Sequence, residues 1–417
     1  MAVIPRLPIL GVMLVCFWLL LGCERSGQQS RQNNLKGTIN VLVSLDGVER
    51  FSKGKLEEQA ALAEQMATDY RYLNPAVHIQ IEVTRESDLI EKVRSRTRDG
   101  LGPDLILARG WVAHRLNEEN LSEPVQLDQG YAKEINPGLL KRLRIRGSQY
   151  VGIPVFLLPQ LACYNRQEIA RNPASLDQLI ATSERGVDIG MALDLADLFW
   201  TVGPWGGNAA EDAVLNRKAI SPAERIALLS WLQSLLDACK YLKVNFYDQE
   251  EQLVEGLLNG RLDWITCRSS NIGRLRKRMG AKLGVGALPS GPGGHPTPIT
   301  VAKVWAVGVN SSQAQRQLAT DFARFTVNAI MQRYTALITE QMLPANQSIP
   351  MPIGQSEVVS AMVSSLKQSQ QGGMLVSILL NDENYRYYRE ATRAVTEMIY
   401  GERSPEQVRD FILRGYK

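Results

Sequence analysis

Between Thr38 and Leu107 the chain switches four times between a strand-like and a helical periodicity. Thr38-Ile39-Asn40-Val41-Leu42-Val43 is a short β-rich run. Leu62, Met66, Tyr70 and Leu73 follow at spacings of four, four and three, one face of a helix, and Asn74-Pro75 ends it. From His78 to Val83 apolar and polar residues alternate, with Ile79, Ile81 and Val83 on one face of a strand. Ser87-Asp88 is placed to cap a second helix carrying Leu89, Ile90 and Val93. Gly102-Pro103 breaks that helix before the apolar strand Leu105-Ile106-Leu107. This order predicts an α/β fold whose sheet is mostly parallel, with helices on both faces. Ligands of such sheets sit beyond the carboxyl ends of the strands. Attention therefore falls on Ser44-Leu45-Asp46-Gly47 and on Ala108-Arg109-Gly110-Trp111.

With 417 residues the chain is long enough for two or three domains. Pro289-Ser290-Gly291-Pro292-Gly293-Gly294-His295-Pro296 separates two strand-like runs and reads as an internal linker. After it come Val301 to Val309 and a helix with Leu318, Phe322 and Phe325 at helical spacing. Lys and Arg number 47 against 43 Asp and Glu, too even a balance to argue for nucleic acid. The basic run Arg274-Leu275-Arg276-Lys277-Arg278 reads as a solvated helix face.

The amino terminus carries a different signal. Arg6 precedes sixteen uncharged residues, Leu7 to Gly22, which is short for a membrane span of roughly 18 to 20 residues and has the make-up of a secretory signal. Leu20-Leu21-Gly22-Cys23 resembles the lipobox of bacterial lipoproteins, which implies cleavage after Gly22 and lipidation of Cys23. An uncleaved N-terminal anchor is the other reading, and either one tethers an exported protein to a membrane surface in the cell envelope. Residues 24–36 are polar enough for a flexible tether. Of the five cysteines, Cys163, Cys239 and Cys267 then remain. One disulfide is open to them, or all three are small buried hydrophobes, and no metal or redox motif is present.

Read in order, further segments resemble the maltose-binding-protein-like family of extracellular solute-binding proteins. Gly102-Pro103-Asp104-Leu105-Ile106 is similar to a family strand that precedes a ligand-contacting loop. Gly152-Ile153-Pro154 with Tyr164-Asn165-Arg166 resembles the crossing between lobes, and Pro173 to Leu179 a helix start. Gly206-Gly207, Asn259-Gly260-Arg261, Leu288-Pro289 and the region from Gly401 to Val408 match further family positions. The resemblance implies two α/β lobes joined by crossing strands, with a ligand cleft at the hinge. Lobe one would be 37–155 plus 296–330 and lobe two 156–295 plus 331–417, after a signal peptide of 1–22 and a lipidated tether of 23–36. It further implies a monomer that captures a small sugar-like solute or polyol without a cofactor, closes on it, and delivers it to ABC permease subunits with their ATPase.

Sugars present apolar C–H patches beside many hydroxyls, so aromatic faces next to charged or amide side chains are the residues to seek. In lobe one these are Asp46 after the first strand, and Arg109 and Trp111 after the Gly-Pro-Asp strand, whereas Asp104 reads as a structural cap. In lobe two, Asp194, Asp197, Trp200 and Trp205 cluster in DLADLFWTVGPWGG, with at least one of the tryptophans expected in the core. Arg268 follows the strand Trp264-Ile265-Thr266-Cys267. Tyr385, Tyr387 and Tyr388 cannot all share one helix face, and Tyr388 is the best placed. The crossing segment Val155-Phe156-Leu157-Leu158-Pro159 is entirely apolar, and Arg268-Ser269-Ser270 stands where a tryptophan is common. Both departures point to a less polar cleft, or to a non-transporting sensor or scaffold. An envelope hydrolase using Asp194 and Asp197 is the remaining alternative, with no nucleophile elbow, P-loop or zinc-protease motif to support it.

Overall fold

The computed structural model describes residues 35–45, 53–208, 219–241, 243–369 and 382–414. The signal segment, Cys23 and Asp46 lie outside the described residues. The sequence pattern of the first third becomes β1 (Gly37–Leu45), α1 (Lys53–Leu73), β2 (Val77–Arg85), α2 (Glu86–Arg98) and β3 (Leu105–Arg109), followed by α3 (Gly110–Glu118). Helix α2 starts one residue before Ser87, because β2 runs to Arg85 and Arg85 itself is the N-cap, without a side-chain bond. β1 pairs in parallel with β2 and β3. Asp104 accepts from Asn40 N and Ser311 Oγ (2.8 and 2.7 Å), tying the start of β3 to its neighbours.

The decisive element is β4 (Ile153–Asn165), thirteen residues of which twelve are buried. Its first half pairs antiparallel with β9 (Thr300–Gly308), which pairs in turn with β3. Its second half pairs with β7 (Trp264–Arg268) and β8 (Leu283–Gly286). Beyond β7 lie the parallel strands β5 (Ile189–Ala192) and β6 (Val244–Tyr247). One mixed sheet in the order β6-β5-β7-β4-β9-β3-β1-β2 thus runs through both lobes. The sheet is parallel toward each edge and antiparallel where the lobes join.

Period-two alternation on the strands sends side chains to opposite faces, so each lobe has two cores. In lobe one, Ile39, Val41 and Val43 meet α1 and α9 (Gln313–Thr326), and Leu42, Ile106 and Ala108 meet α2 and α3. In lobe two, Ala162 and Tyr164 meet α6 (Pro222–Tyr241) and α12 (Asp382–Ile399). Leu161 and Cys163 on the other face meet α7 (Glu250–Leu258), α8 (Ile272–Met279) and α11 (Glu357–Ser369). Each fully buried aliphatic side chain of this kind contributes about 1.5–3 kcal/mol. Cys163 and Cys267 form a disulfide across β4 and β7, and Cys239 is free.

The Pro/Gly stretch joins β8 to β9 as a packed turn, not as a loose linker. Gly293 N donates to Pro204 O (2.7 Å) and Thr297 N to Trp200 O (3.1 Å). A Cβ on Gly293 would stand 2.3 Å from Gly206 N, so only glycine allows that approach.

Candidate functional site

Lys303 sits in the otherwise apolar strand β9, level with Arg109 of β3 on one side and Phe156 of β4 on the other. Its ammonium is buried and donates to Ser44 O and Oγ (3.1 and 3.2 Å), with Glu86 Oε2 at 3.8 Å. Arg109 Nε reaches the same Glu86 oxygen at 3.0 Å. Ser44 ends β1, Glu86 begins α2 and Arg109 ends β3, so the carboxyl ends of the parallel strands gather a lysine, an arginine and a carboxylate.

Four residues farther along β4, Gln160 lies level with Arg268 of β7. That offset is about 13 Å of strand. Arg268 donates to Asp197 Oδ1 (2.6 Å) and Glu250 Oε2 (3.1 Å), and all three side chains are nearly closed off from solvent. Glu250 Oε1 also accepts from Arg268 N (2.7 Å) and Asn271 Nδ2 (2.8 Å). Burial raises the Asp197 carboxyl to about 6 against the opposing pull of Arg268, with Asp194 and Glu250 adding to the rise. The charge of Arg109, from lobe one, also favours the Asp197 carboxylate.

Gln160 stitches that join. Its N donates to Ile299 O (2.9 Å), its Nε2 to Asp197 O (2.8 Å), and its O accepts from Ser365 Oγ (2.7 Å). Beside it opens a cavity of about 340 Å³, whose lining runs from Ser44, Lys303, Phe156 and Leu158 to Ser270 and Gly273 of lobe two.

The other sequence candidates have separate places. Tyr388, on α12, donates its hydroxyl to Asp194 Oδ1 and accepts from Ala196 N (3.0 Å). Asp194 Oδ1 caps the short helix Leu195–Leu198 through Ala196 N (2.9 Å), so this pair fixes the turn that presents Asp197. Burial and the Asp194 carboxylate hold the Tyr388 phenol well above its usual range. Trp200 is fully buried against Trp264, ring centroids 6.2 Å apart. Trp205 lines a second cavity of about 530 Å³ between α4 (Leu176–Glu184) and α6, away from the join. Trp111 is partly exposed and packs on the lobe-one core. Among the charged residues at the join, sequence reasoning passed over Lys303, Glu86 and Glu250. A lone lysine inside TVAKVWAVG was the signal available for the first.

Among the described residues no group of side chains has the make-up of a metal site, and no helix is long and apolar enough to cross a membrane. A sheet shared by two α/β lobes, with charged side chains from both meeting where the chain crosses, defines a hinged binding protein. The sequence profile of the bacterial extracellular solute-binding proteins matches residues 65–361, and the chain belongs to that family. The family consists of binding proteins and not of enzymes, which removes the hydrolase alternative. No curated protein matches the chain in sequence.

Solved structures share the fold across nearly the whole chain. Maltose-bound MalE3 of T. maritima superposes with a TM-score of 0.69 at 14% identity, covering 91% of this chain and 98% of that one. The GacH receptor of Streptomyces glaucescens GLA.O, solved unliganded and with acarbose, gives 0.70 at 14%, covering 92% and 98%. The maltose-maltodextrin binding protein of Alicyclobacillus acidocaldarius gives 0.68 at 17%, covering 91% and 100%. At such identities the likeness is one of fold.

Proposed function

We propose that this chain is the lipid-anchored solute-binding subunit of an ABC importer, holding a sugar or polyol between its lobes and presenting it to the permease. The observation that carries the reading is the pair of charged clusters four residues apart along β4, Arg109 with Glu86 and Lys303 from lobe one and Arg268 with Asp197 and Glu250 from lobe two. A solute bridging them touches both lobes at once, and that differential affinity is what shifts a hinged protein toward its closed form. The sugar assignment is supported by the maltose and acarbose complexes of proteins with this fold. The anchor is supported by Leu20-Leu21-Gly22-Cys23 and the polar tether after it. The lobes would be those expected from the sequence, 37–155 with 296–330 and 156–295 with 331–417.

A thermal-shift screen against mono- and oligosaccharides, polyols, amino acids and osmolytes tests the function. A solute at a hundred times its Kd stabilises the native state by about 2.7 kcal/mol. A saturable shift confined to sugars or polyols is the expected result. Silence across the panel from folded protein would favour a non-transporting sensor or scaffold. The mass of the mature amino terminus tests the anchor separately, with a diacylglyceryl adduct on Cys23 expected.

A further inference from the structure

We infer that the solute is an amphiphile, a hydrogen-bonding head joined to an alkyl or aryl part that seats in the cavity beside the hinge. This rests on the solute-binding reading and adds a chemical class to it. The cavity, about 340 Å³, falls within the range of small-molecule sites, roughly 300 to 1,000 Å³. Its floor is Phe156 and Leu158 of β4, the crossing strand itself, and its walls are Leu62 and Met66 of α1. Ile338 and Met342 close the far side, and Ile338, though large and aliphatic, is 53% exposed.

The charged side chains at its edge, Lys303 and Arg276, already have protein partners. Lys303 is bonded to Ser44, and Arg276 pairs with Glu340 at 2.6 Å. What the cavity leaves uncompensated is apolar surface, and the gain on covering it comes from hydrophobic burial. The indoles of Trp200, Trp231 and Trp264, broad faces suited to stacking on sugar rings, are spent in the lobe-two core, and Trp305, which lines the cavity, is buried with its Nε1 donating to Thr326 Oγ1 (2.8 Å). Ser270, Gly273 and Arg276 bring lobe two to the same cavity, so an apolar group seated there touches both lobes. The head would then lie toward the charged clusters at the carboxyl ends of the strands.

Two probe series read this out by calorimetry on the full chain in lipid nanodiscs, with empty nanodiscs as reference. They are the n-alkyl β-glucosides from methyl to pentyl, and the n-alkanols from ethanol to hexanol. Affinity is expected to rise roughly fourfold per added methylene until the cavity is full. Ala63→Phe, at a residue lining the cavity, should abolish that rise with chain length. Should that variant not fold, Ile338→Ala at the mouth should lower the slope. Glucosides that bind with no dependence on chain length would overturn this inference while leaving the sugar reading intact. A slope among the alkanols with no glucoside binding would uphold the apolar site and sink the sugar class. No slope in either series overturns the inference.

Discussion

Arg268 holds two nearly buried carboxylates at once, and its loss would strand both. Breaking a buried ion pair from one side costs about 3–5 kcal/mol. Arg268→Ala is accordingly expected to lower the unfolding free energy by that order in a urea titration, and Asp197→Asn in the same background should recover part of it. Two buried groups give stability opposite pH slopes. The raised Asp197 carboxyl, at about 6, lets the native state bind the extra proton, so its contribution is complete below the ordinary carboxyl value and is lost as pH rises through 6. His114 is depressed by burial, although Nε2 lies 2.7 Å from Arg142 O. Its contribution is present above the ordinary histidine value and is lost as pH falls through the lowered one. Urea midpoints measured from pH 4 to 7.5 should lose their fall below the ordinary histidine value in His114→Gln, which keeps a donor, and their decline with rising pH between about 4 and 6 in Asp197→Asn. At this scale the sequence is uneven. Asp197 and Arg268 stand out as charges beside apolar runs, whereas Glu86 and Glu250 look like ordinary acidic residues in the first turn of a helix. Only the packing of β4 between the lobes brings them to the join.

Elements show why DLADLFWTVGPWGG resisted a single reading. It folds as the short helix Leu195–Leu198 and two 3-10 turns, Phe199–Thr201 and Gly203–Trp205, so no helical period carries across it. Its candidates accordingly diverge, Asp197 to Arg268, Asp194 to Tyr388, Trp200 to the core and Trp205 to another cavity. The βαβαβ opening was legible because each segment there keeps one period long enough to declare itself. The disulfide was not, since residues 104 apart come together only through the register of β4 and β7. Closing a loop of that length is worth up to about 4.7 kcal/mol. Cys163→Ala with Cys267→Ala should lower the guanidinium midpoint correspondingly, while Cys239→Ala should leave it near the wild-type value.

The whole molecule turns on β4, which is common to the two halves, and on β9, which pairs with it from lobe one. A two-lobed form was readable in outline from the ordered motifs; that one sheet would thread both lobes was not, because pairing between distant strands leaves no local pattern. Under the proposed function, closure would bend or twist this sheet near Leu158-Pro159-Gln160 and Ile299-Thr300. Small-angle scattering should show the particle contract when the cognate solute saturates it. Gln160→Ala removes the amide that ties the crossing to Asp197 O and leaves that buried carbonyl short of a partner, costing about 1–3 kcal/mol. Its scattering profile without solute is expected to be the more extended of the two.

The shared strands also bear on how the chain reaches this state. β9, central to lobe one, is synthesised after β5 to β8 of lobe two, and Trp305 must find Ile153 across that whole interval. Non-local pairing of this kind makes folding slow, since loop-closure entropy is spent before the contacts return it. Lobe one cannot complete its sheet until β9 is made, so it does not stand folded while the middle of the chain emerges. If the first 22 residues act as the export signal expected from the sequence, that delay would keep the polypeptide loose during its passage across a membrane. Compaction would then follow on the far side, where oxidising conditions let Cys163 and Cys267 lock the pairing of β4 with β7.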